Sequence, residues 1–560
     1  MAVYADDIAI WAANRGCCRK SVQKELQRAL DNIYHFLTTL GLTLSAAKSV
    51  ALLNAPHRTY KFTLSLQIAG APVPIVKQAT YLGLKLDDRV SWQPAVSTVL
   101  NSNKKTASIL RILGGVRKGT SQRMMLQLYH GLIKARTLYA LPLLDLNHRQ
   151  WASLERAQRV ALRICLGVPR TASSRHTLVE SGTNTVQNAA TERALRHLIR
   201  MQETPSTKSL VQNIATRRAH LATLVNLLEE IAGCPTTHIT LPPPPSEPPT
   251  VRIEMNIAQM GPKRVTPATV AYQHTSQHID EFYHGWTRTF TGSVKAQRRT
   301  ATAAAISEGH SRMEKLSFHA SSTTAELAAL RLGLAMTDGK QPGNLVLLTD
   351  SRAALRLLEK PDRAPALARD VMAKAQNLQK GGWTIAFQWL PSHCGIEGNE
   401  AVDALADRAH DEPNCPISEV PAFADARLLT RRIISARNPE LENGPLPAKV
   451  PGRLTRNETA VLHRLRTKSA FTPAYLAKWK DHRDDACGKC RVTADDEHLL
   501  CVCPLYKEER DKLRQTYSAL GCPSDTLEAL IRPTATAAKA ERMLTAQAKF
   551  LSRTRLCDII

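Results

Sequence analysis

The sequence predicts a multidomain α/β protein, with a mixed sheet covered by helices at its centre and helical segments on both sides. Three observations carry that prediction. At 560 residues the chain is long enough for three or four domains. Between residue 251 and about residue 410, strand-like stretches come first and then alternate with helix-like ones, the order of a mixed sheet with helices on its faces. Before that stretch stands Thr240-Leu-Pro-Pro-Pro-Pro-Ser-Glu-Pro-Pro-Thr250, a stiff, extended linker at 239–250 that marks a domain boundary.

Charge narrows the partners. The chain holds 75 Lys and Arg against 49 Asp and Glu, a net charge of +26. A charge that large favours a polyanion, nucleic acid first. It is also clustered, since residues 97–170 contain 13 basic side chains and two acids, Asp145 and Glu155. No apolar run approaches a membrane span. Asp6 and Asp7 interrupt the apolar start, which is therefore no signal peptide. An intracellular protein is expected, nuclear or cytoplasmic, with no membrane partner. Twelve Cys without a secretion signal argue against a disulfide framework and leave metal binding as the use for any cluster. There is no internal repeat, and oligomeric state is not encoded legibly.

At the N-terminus Val3, Tyr4, Ile8 and Ile10 flank Asp6 and Asp7, as in a strand–turn–strand hairpin. Ser21 to Leu40 carries Val22, Leu26, Leu30, Ile33, Leu37 and Leu40 on one helical face, closed by Gly41. Leu64, Leu66 and Ile68 alternate, as do Val73 and Ile75, predicting a strand pair that turns at Gly70-Ala71-Pro72. Thr80-Tyr81-Leu82-Gly83-Leu84-Lys85-Leu86-Asp87 follows. Three of these pieces, in order, resemble the rear half of a reverse transcriptase palm. Tyr4-Ala5-Asp6-Asp7 is similar to the Y-x-D-D hairpin of motif C, Gly41 to Lys48 to motif D, and Thr80 to Asp87 to motif E. The resemblance implies a partial palm over 1–92, with Asp6 and Asp7 as its catalytic acids. Polymerase activity is not expected, because two-metal nucleotidyl transfer also needs a carboxylate from an earlier palm strand.

Residues 93–168 read as helices, Gln122 to Leu144 and His148 to Leu166 among them, the latter closed by Gly167 and Pro169. Their position is that of a thumb, and their Lys and Arg suit the phosphates of a template–primer duplex. The plainer reading is helices with solvated basic faces. Residues 169–238 continue as a helical connector, with Leu221 to Ile231 its clearest periodic run.

In the central stretch, 251–411, Thr300 to Ser307, Met313 to Phe318, Asn344 to Thr349 and Trp383 to Leu390 read as strands. Thr324 to Met336, Arg352 to Glu359 and Pro365 to Gln379 read as helices. Asn399 is placed to cap a further helix, whose second turn carries Asp403. Trp389, Pro391, His393, Gly395, Gly398, Asn399, Glu400 and Asp403 fall on W-x-P-x-H-x-G-x-x-G-N-E-x-A-D, with Val402 in place of Ala. The stretch thus resembles a type I ribonuclease H, which implies a mixed five-stranded sheet with flanking helices. It also implies hydrolysis of the RNA strand of an RNA–DNA hybrid with Mg²⁺ or Mn²⁺. Glu326, in Thr-Thr-Ala-Glu-Leu-Ala-Ala-Leu, matches the family's helix glutamate. Asp350, in Leu-Leu-Thr-Asp-Ser-Arg, matches its third acid, and Asp403 its fourth. All three are implied metal ligands, and His393 matches the loop histidine that assists proton transfer. Asp350 is equally placed to cap the helix beginning at Ser351. The family's first acid, in T-D-G-S, has no counterpart in Thr289-Phe290-Thr291-Gly292-Ser293. A one-residue deletion fits best, and Asp280 lies too far upstream to substitute. That departure leaves open a second reading, a weakened or inactive fragment that only binds nucleic acid.

Residues 412–452 form a linker with a basic helix expected around Arg427 to Arg437. In 453–560, Cys487, Cys490 and His498 stand with Cys501 or Cys503 in a spacing suited to a closed tetrahedral Zn²⁺ site. A long helix capped by Thr534 should run to about Arg555. His498-Leu499-Leu500, followed by Cys503-Pro504, resembles the tail of non-LTR, LINE-like retrotransposon polyproteins, as does His463-Arg464-Leu465-Arg466-Thr467. The resemblance favours Cys503 as the fourth ligand of a zinc knuckle that grips nucleic acid. With the palm, thumb and hydrolase pieces, it implies the C-terminal part of such a polyprotein.

Overall fold

The computed structural model describes residues 1–12, 19–54, 64–115, 119–139, 141–203, 205–215, 220–232, 251–262, 265–295, 301–316, 320–360, 364–418, 425, 430, 434, 448–479 and 484–560. The proline run at 240–250 and, apart from Thr430 and Ile434, the basic helix expected at 427–437 lie outside them. The chain divides into two compact units. One joins Met1–Ala190 to Ala436–Ile560, and the other is Thr191–Ser435.

The first unit opens with β1 (Ala2–Tyr4) and β2 (Asp7–Ala9), an antiparallel hairpin. Helix α1 spans Arg19–Thr39. Strands β3 (Ala51–Leu52), β4 (Gln67–Ile68), β5 (Ala71–Pro72) and β6 (Ile75–Val76) are short. Here the expected turn moves. Ile68 faces Ala71, so the turn residues are Ala69 and Gly70, both at positive φ, and Ile75 pairs with Ala51. A two-residue hairpin turn with both φ values positive matches the twist of its strands, and Pro72 cannot supply one. The same device, Leu82-Gly83, joins β7 (Gln78–Tyr81) to β8 (Leu84–Asp87).

Helix α2 spans Gln93–Leu113. The single helix expected from Gln122 to Leu144 is broken. Helix α3 (Gln122–Leu128) passes into a π turn at Tyr129–Lys134 and one more α turn, and a 3₁₀ turn at Leu141–Leu143 follows. Pro142 there cannot donate to a helical ladder. Helix α4 (His148–Leu166) starts at an Asn147/Gln150 capping box and stops at Gly167, φ +73°. Helix α5 (Ser174–Ser181) follows.

Helix α6 (Val186–Glu203) leads into the second unit, where α7 (Pro205–Ala215) and α8 (His220–Ala232) bury Leu195, Leu198, Ile199, Val225 and Leu228 together. The rest of this unit is built on a seven-stranded sheet. In chain order its strands are β9 (Arg252–Glu254), β10 (Thr287–Lys295), β11 (Ala301–Ser307), β12 (His310–Leu316), β13 (Asn344–Thr349), β14 (Thr384–Trp389) and β15 (Ile417–Ser418). Across the sheet they lie β15-β12-β11-β10-β13-β14-β9. The five central strands are those expected. The outer two are corrections to a five-stranded sheet, and segments of three and two residues are too short to leave an alternating pattern in the sequence.

Helices α9 (Ala268–Phe282), α10 (Ser322–Ala335), α11 (Arg352–Leu358), α12 (Ala366–Lys380) and α13 (Glu397–Arg408) cover the sheet. On one face Leu327 and Leu330 of α10 and Val371 of α12 meet Leu345, Leu347 and Phe387. On the other, Ile279 of α9 and nearby Tyr283 pack on Val346 and Leu348, while Val402 and Leu405 of α13 pack on Phe290 and Val294. Each such fully buried side chain contributes about 1.5–3 kcal/mol of transfer free energy.

The first unit resumes with α14 (Arg456–Arg466), α15 (Pro473–Ala477), α16 (Lys507–Ala519), α17 (Leu527–Ile531) and α18 (Ala537–Arg553). Leu462, Leu465, Leu500, Tyr517, Leu530 and Leu551 form their core. The last long helix begins after Thr536, two residues later than expected. Thr534 lies next to Pro533 in the turn that ends α17, and Thr536 has the extended ψ (151°) of a residue entering a helix.

Candidate active site and metal centre

The first site forms where β10, α10, α13 and the end of β13 meet. Strand β10 is unbroken. It pairs with β11 from Thr289↔Ser307 to Lys295↔Ala301, and with β13 as far as Thr291↔Thr349. Alternation sends Thr291 and Ser293 toward α10 and Gly292 toward α13. Glu326 projects from the first half of α10, whose N-cap is Ser321. Its side chain is buried, and both oxygens are engaged. Ser293 Oγ donates to Oε1 at 2.6 Å, and Thr349 Oγ1 donates to Oε2 at 3.2 Å.

Asp350 is the first residue beyond β13. Ser351, not Asp350, caps α11. The indole of Trp389 donates to the Asp350 carbonyl at 3.0 Å, and the Arg352 guanidinium lies 3.7 Å from that indole ring. Asp403 sits where α13 crosses β10. A Cβ on Gly292 would lie 2.7 Å from Asp403 Oδ1 and 2.9 Å from Val402 Cγ1, so a side chain there would force Asp403 or Val402 to move. His393 is exposed, at φ +53°, on the loop between β14 and α13. Glu400 anchors this loop by accepting from the Gly395 amide at 3.0 Å. Asn399 does not cap α13. The amides of Asn399 and Glu400 both bond to the Ile396 carbonyl, so the helix is already under way at Glu397 and Asn399 is buried inside it.

The carboxyls act on one another. Burial, and then the charge of Asp350, push Glu326 up to about 8 against the two hydroxyl bonds. Burial and Asp350 also push Asp403 up to about 6, against the influence of His393. Like charges gathered in low dielectric hold protons or call for a cation. The residue before Gly292, on the same strand face as Ser293 and its bond to Glu326, is Thr291. It is fully buried, with Oγ1 donating to the Leu348 carbonyl at 3.2 Å. The register of β10 with β11 runs through Thr291 without a bulge or other irregularity. Asp280 is paired with Arg288 at 2.8 Å on the surface, away from these acids' cluster.

Residues 288–411 match the family model for RNase H. The chain contains an RNase H domain. Comparison with curated proteins gives no match. The mixed sheet with flanking helices fits the fold of that family, and the RNase H domain supports RNA–DNA hybrid ribonuclease activity in general. Glu326, Asp350, His393 and Asp403 all lie within the matched residues, whereas α9, β9 and β15 lie outside them. Asp6 and Asp7 belong to the other unit, exposed on the β1–β2 hairpin. Reading the sequence for acids missed the hydroxyls of Ser293 and Thr349. The period-two spacing of Thr291 and Ser293, and the position of Thr349 beside Asp350, were the available signals.

The second site is in the tail. One ligand atom from each of Cys487, Cys490, His498 and Cys503 lies within 4.8 Å of every other. Cys487 and Cys490 sulfurs are 3.9 and 3.8 Å from that of Cys503. Two sulfurs each about 2.3 Å from a tetrahedral Zn²⁺ would be about 3.8 Å apart. His498 Nε2 is buried without a hydrogen-bond partner, as a nitrogen reserved for a metal would be. Amides of Cys490 and Lys489 lower the Cys487 thiol toward its ligating form. Cys501 stands outside this group, its thiol raised by burial. Among the described residues no helix is long and apolar enough to cross a membrane.

Proposed function

We propose that the chain is the C-terminal part of a non-LTR retrotransposon polyprotein, whose RNase H domain hydrolyses the RNA strand of RNA–DNA hybrids. The observation that carries this reading is the meeting of Glu326, Asp350 and Asp403, from three separate elements, inside the RNase H match. Hard divalent cations take oxygen ligands, and the burial and mutual repulsion that raise Glu326 and Asp403 are offset by a cation between them. Glu326, Asp350 and Asp403 would hold Mg²⁺ or Mn²⁺, which when bound supplies an activated water and stabilises the leaving oxygen. Ser293 and Thr349 fix the direction of the Glu326 carboxylate. His393, on a loop tethered by Glu400, is placed to move a proton at the leaving oxygen. Hybrid and template–primer phosphates meet the basic helices α2 to α4, and Asp6 and Asp7 are the acids of a palm remnant. Cys487, Cys490, His498 and Cys503 hold one structural Zn²⁺.

Thr291 favours a second reading, a domain that binds hybrids and cuts them little. A labelled-RNA hybrid assay titrated with Mg²⁺ and Mn²⁺ separates the two. Slow cleavage lost in Asp350→Asn supports the hydrolase. Hybrid binding with no cleavage at any metal concentration supports the second reading.

A further inference from the structure

The basic run His463-Arg464-Leu465-Arg466 does not face solvent. His463 Nδ1 lies 2.9 Å from Glu180 Oε2, and Arg466 Nη1 lies 3.3 Å from the same oxygen. Arg532 approaches Oε1 at 3.9 Å. The side chains of Glu180, His463 and Arg466 are each at most 2 % exposed. Arg456, the first residue of α14 and two turns before His463, donates to the carbonyls of Cys165 and Ile164 at 2.6 and 2.9 Å, and Arg464 donates to that of Gly167 at 3.0 Å. These carbonyls are the open C-terminal end of α4, where a cation is favoured. Gly167 is required there twice over. It sits at φ +73°, and a Cβ on it would lie 2.7 Å from Ala460 Cβ of α14. Thr171 and the Tyr475 hydroxyl are hydrogen-bonded beside this contact.

Four arginines, Arg456, Arg464, Arg466 and Arg532, are therefore engaged by acceptors of the protein itself. We propose that this strip is an intramolecular docking surface, through which the metal-binding tail is carried by α4 and α5, with Glu180 as the residue it recognises. The tail is then the second half of a discontinuous domain, and the RNase H-bearing unit is inserted between its halves. Every partner named comes from Met1–Ala190 or Ala436–Ile560. Removing one member of a buried, hydrogen-bonded charge cluster leaves the others uncompensated, so the docking should depend steeply on Glu180.

The test uses the full chain with protease sites introduced within 240–249 and 437–446 and an affinity tag on the N-terminal piece. After cleavage, the tail should stay on the tagged piece through extended washing. In Glu180→Arg its release should be at least tenfold faster, with Glu180→Gln intermediate. Arg466→Met, which leaves the tagged piece unaltered, should release the tail as well, so misfolding of the Glu180 variants cannot account for the result. Tail release from the unsubstituted chain, or retention indifferent to all three substitutions, would overturn the proposal.

Discussion

Thr291→Asp tests how the missing acid is missing. The side chain at 291 points to the face on which Ser293 meets Glu326, so an aspartate there would add a carboxylate to the cluster without moving the strand. Its effect without a cation is unfavourable. Holding the buried Glu326 carboxyl at about 8 rather than 4.5 already corresponds to about 5 kcal/mol, with burial its largest cause, and a further acid adds repulsion. With a cation the same acid becomes a ligand. A contribution of about 4 kcal/mol to charge stabilisation in the transition state is about a thousandfold in rate. The domain should gain a matching dependence on metal. At a hundred times its Kd, bound Mg²⁺ adds about 2.7 kcal/mol, about 5–10 °C in Tm for a domain of this size. The assay is cleavage of a hybrid with labelled RNA, with and without Mg²⁺, beside thermal melting under both conditions. Thr291→Asn, nearly isosteric and uncharged, should gain neither effect, and Asp350→Asn in the Thr291→Asp background should abolish cleavage. Inserting Asp between Thr291 and Gly292 should help less, because it moves Gly292 out of its contact with Asp403 and reverses the facing of the residues after it. An insertion more active than Thr291→Asp would sink the register argument, as would an unsubstituted chain as fast as either.

Metal analysis should find about one zinc per chain; Cys503→Ser should lose it and Cys501→Ser keep it, and the reverse would move the fourth ligand. Acid should weaken the first unit in two stages. Burial holds the His463 imidazole below its ordinary value, so unfolding takes up a proton there and stability falls as pH drops below about 6.5. Burial alone would raise Glu180, but the His463 bond and the charges of His463, Arg466 and Arg532 outweigh it and hold it below its ordinary value, so its contribution, complete above about 4.3, is lost at lower pH. Urea midpoints across pH should show both limbs, and a single limb unaffected by His463→Gln would contradict this assignment. Gly398→Ala places a Cβ 2.3–2.6 Å from ring atoms of Phe290 and should cost the RNase H domain about 1–3 kcal/mol, read as a lower denaturant midpoint; an unchanged midpoint would mean that α13 is free to shift away from β10.

How legible the protein was depends on which force set each feature. Strands β13 and β14 and helix α4 were found nearly to the residue, because their apolar periods and their caps agree. The Gln122–Leu144 break was hidden, with Pro142 as the residue that hints at it. Strands β9 and β15 are held by main-chain pairing, which leaves no trace in side chains. In the site, Asp350 and Asp403 could be read off a motif, but the hydroxyls that clasp Glu326 come from strands 33 and 23 residues away. The basic strip of α14 shows the limit of composition. Composition counts charge without regard to burial, and these side chains face an internal acid and main-chain carbonyls.

The two outermost strands bear on how the RNase H domain can be handled. Arg252–Glu254 lies along β14 and Ile417–Ser418 along β12, both beyond the 288–411 match. A fragment trimmed to the match would strip both flanks of the sheet and bare rows of unpaired amides and carbonyls, a template for pairing with other chains. It would also lose α9, uncovering Val346 and Leu348. Such a fragment should precipitate or self-associate where one spanning 251–418 stays dispersed. Within the whole chain, the peptide entering and leaving the domain therefore does more than tether it: it keeps neighbouring copies from zipping together.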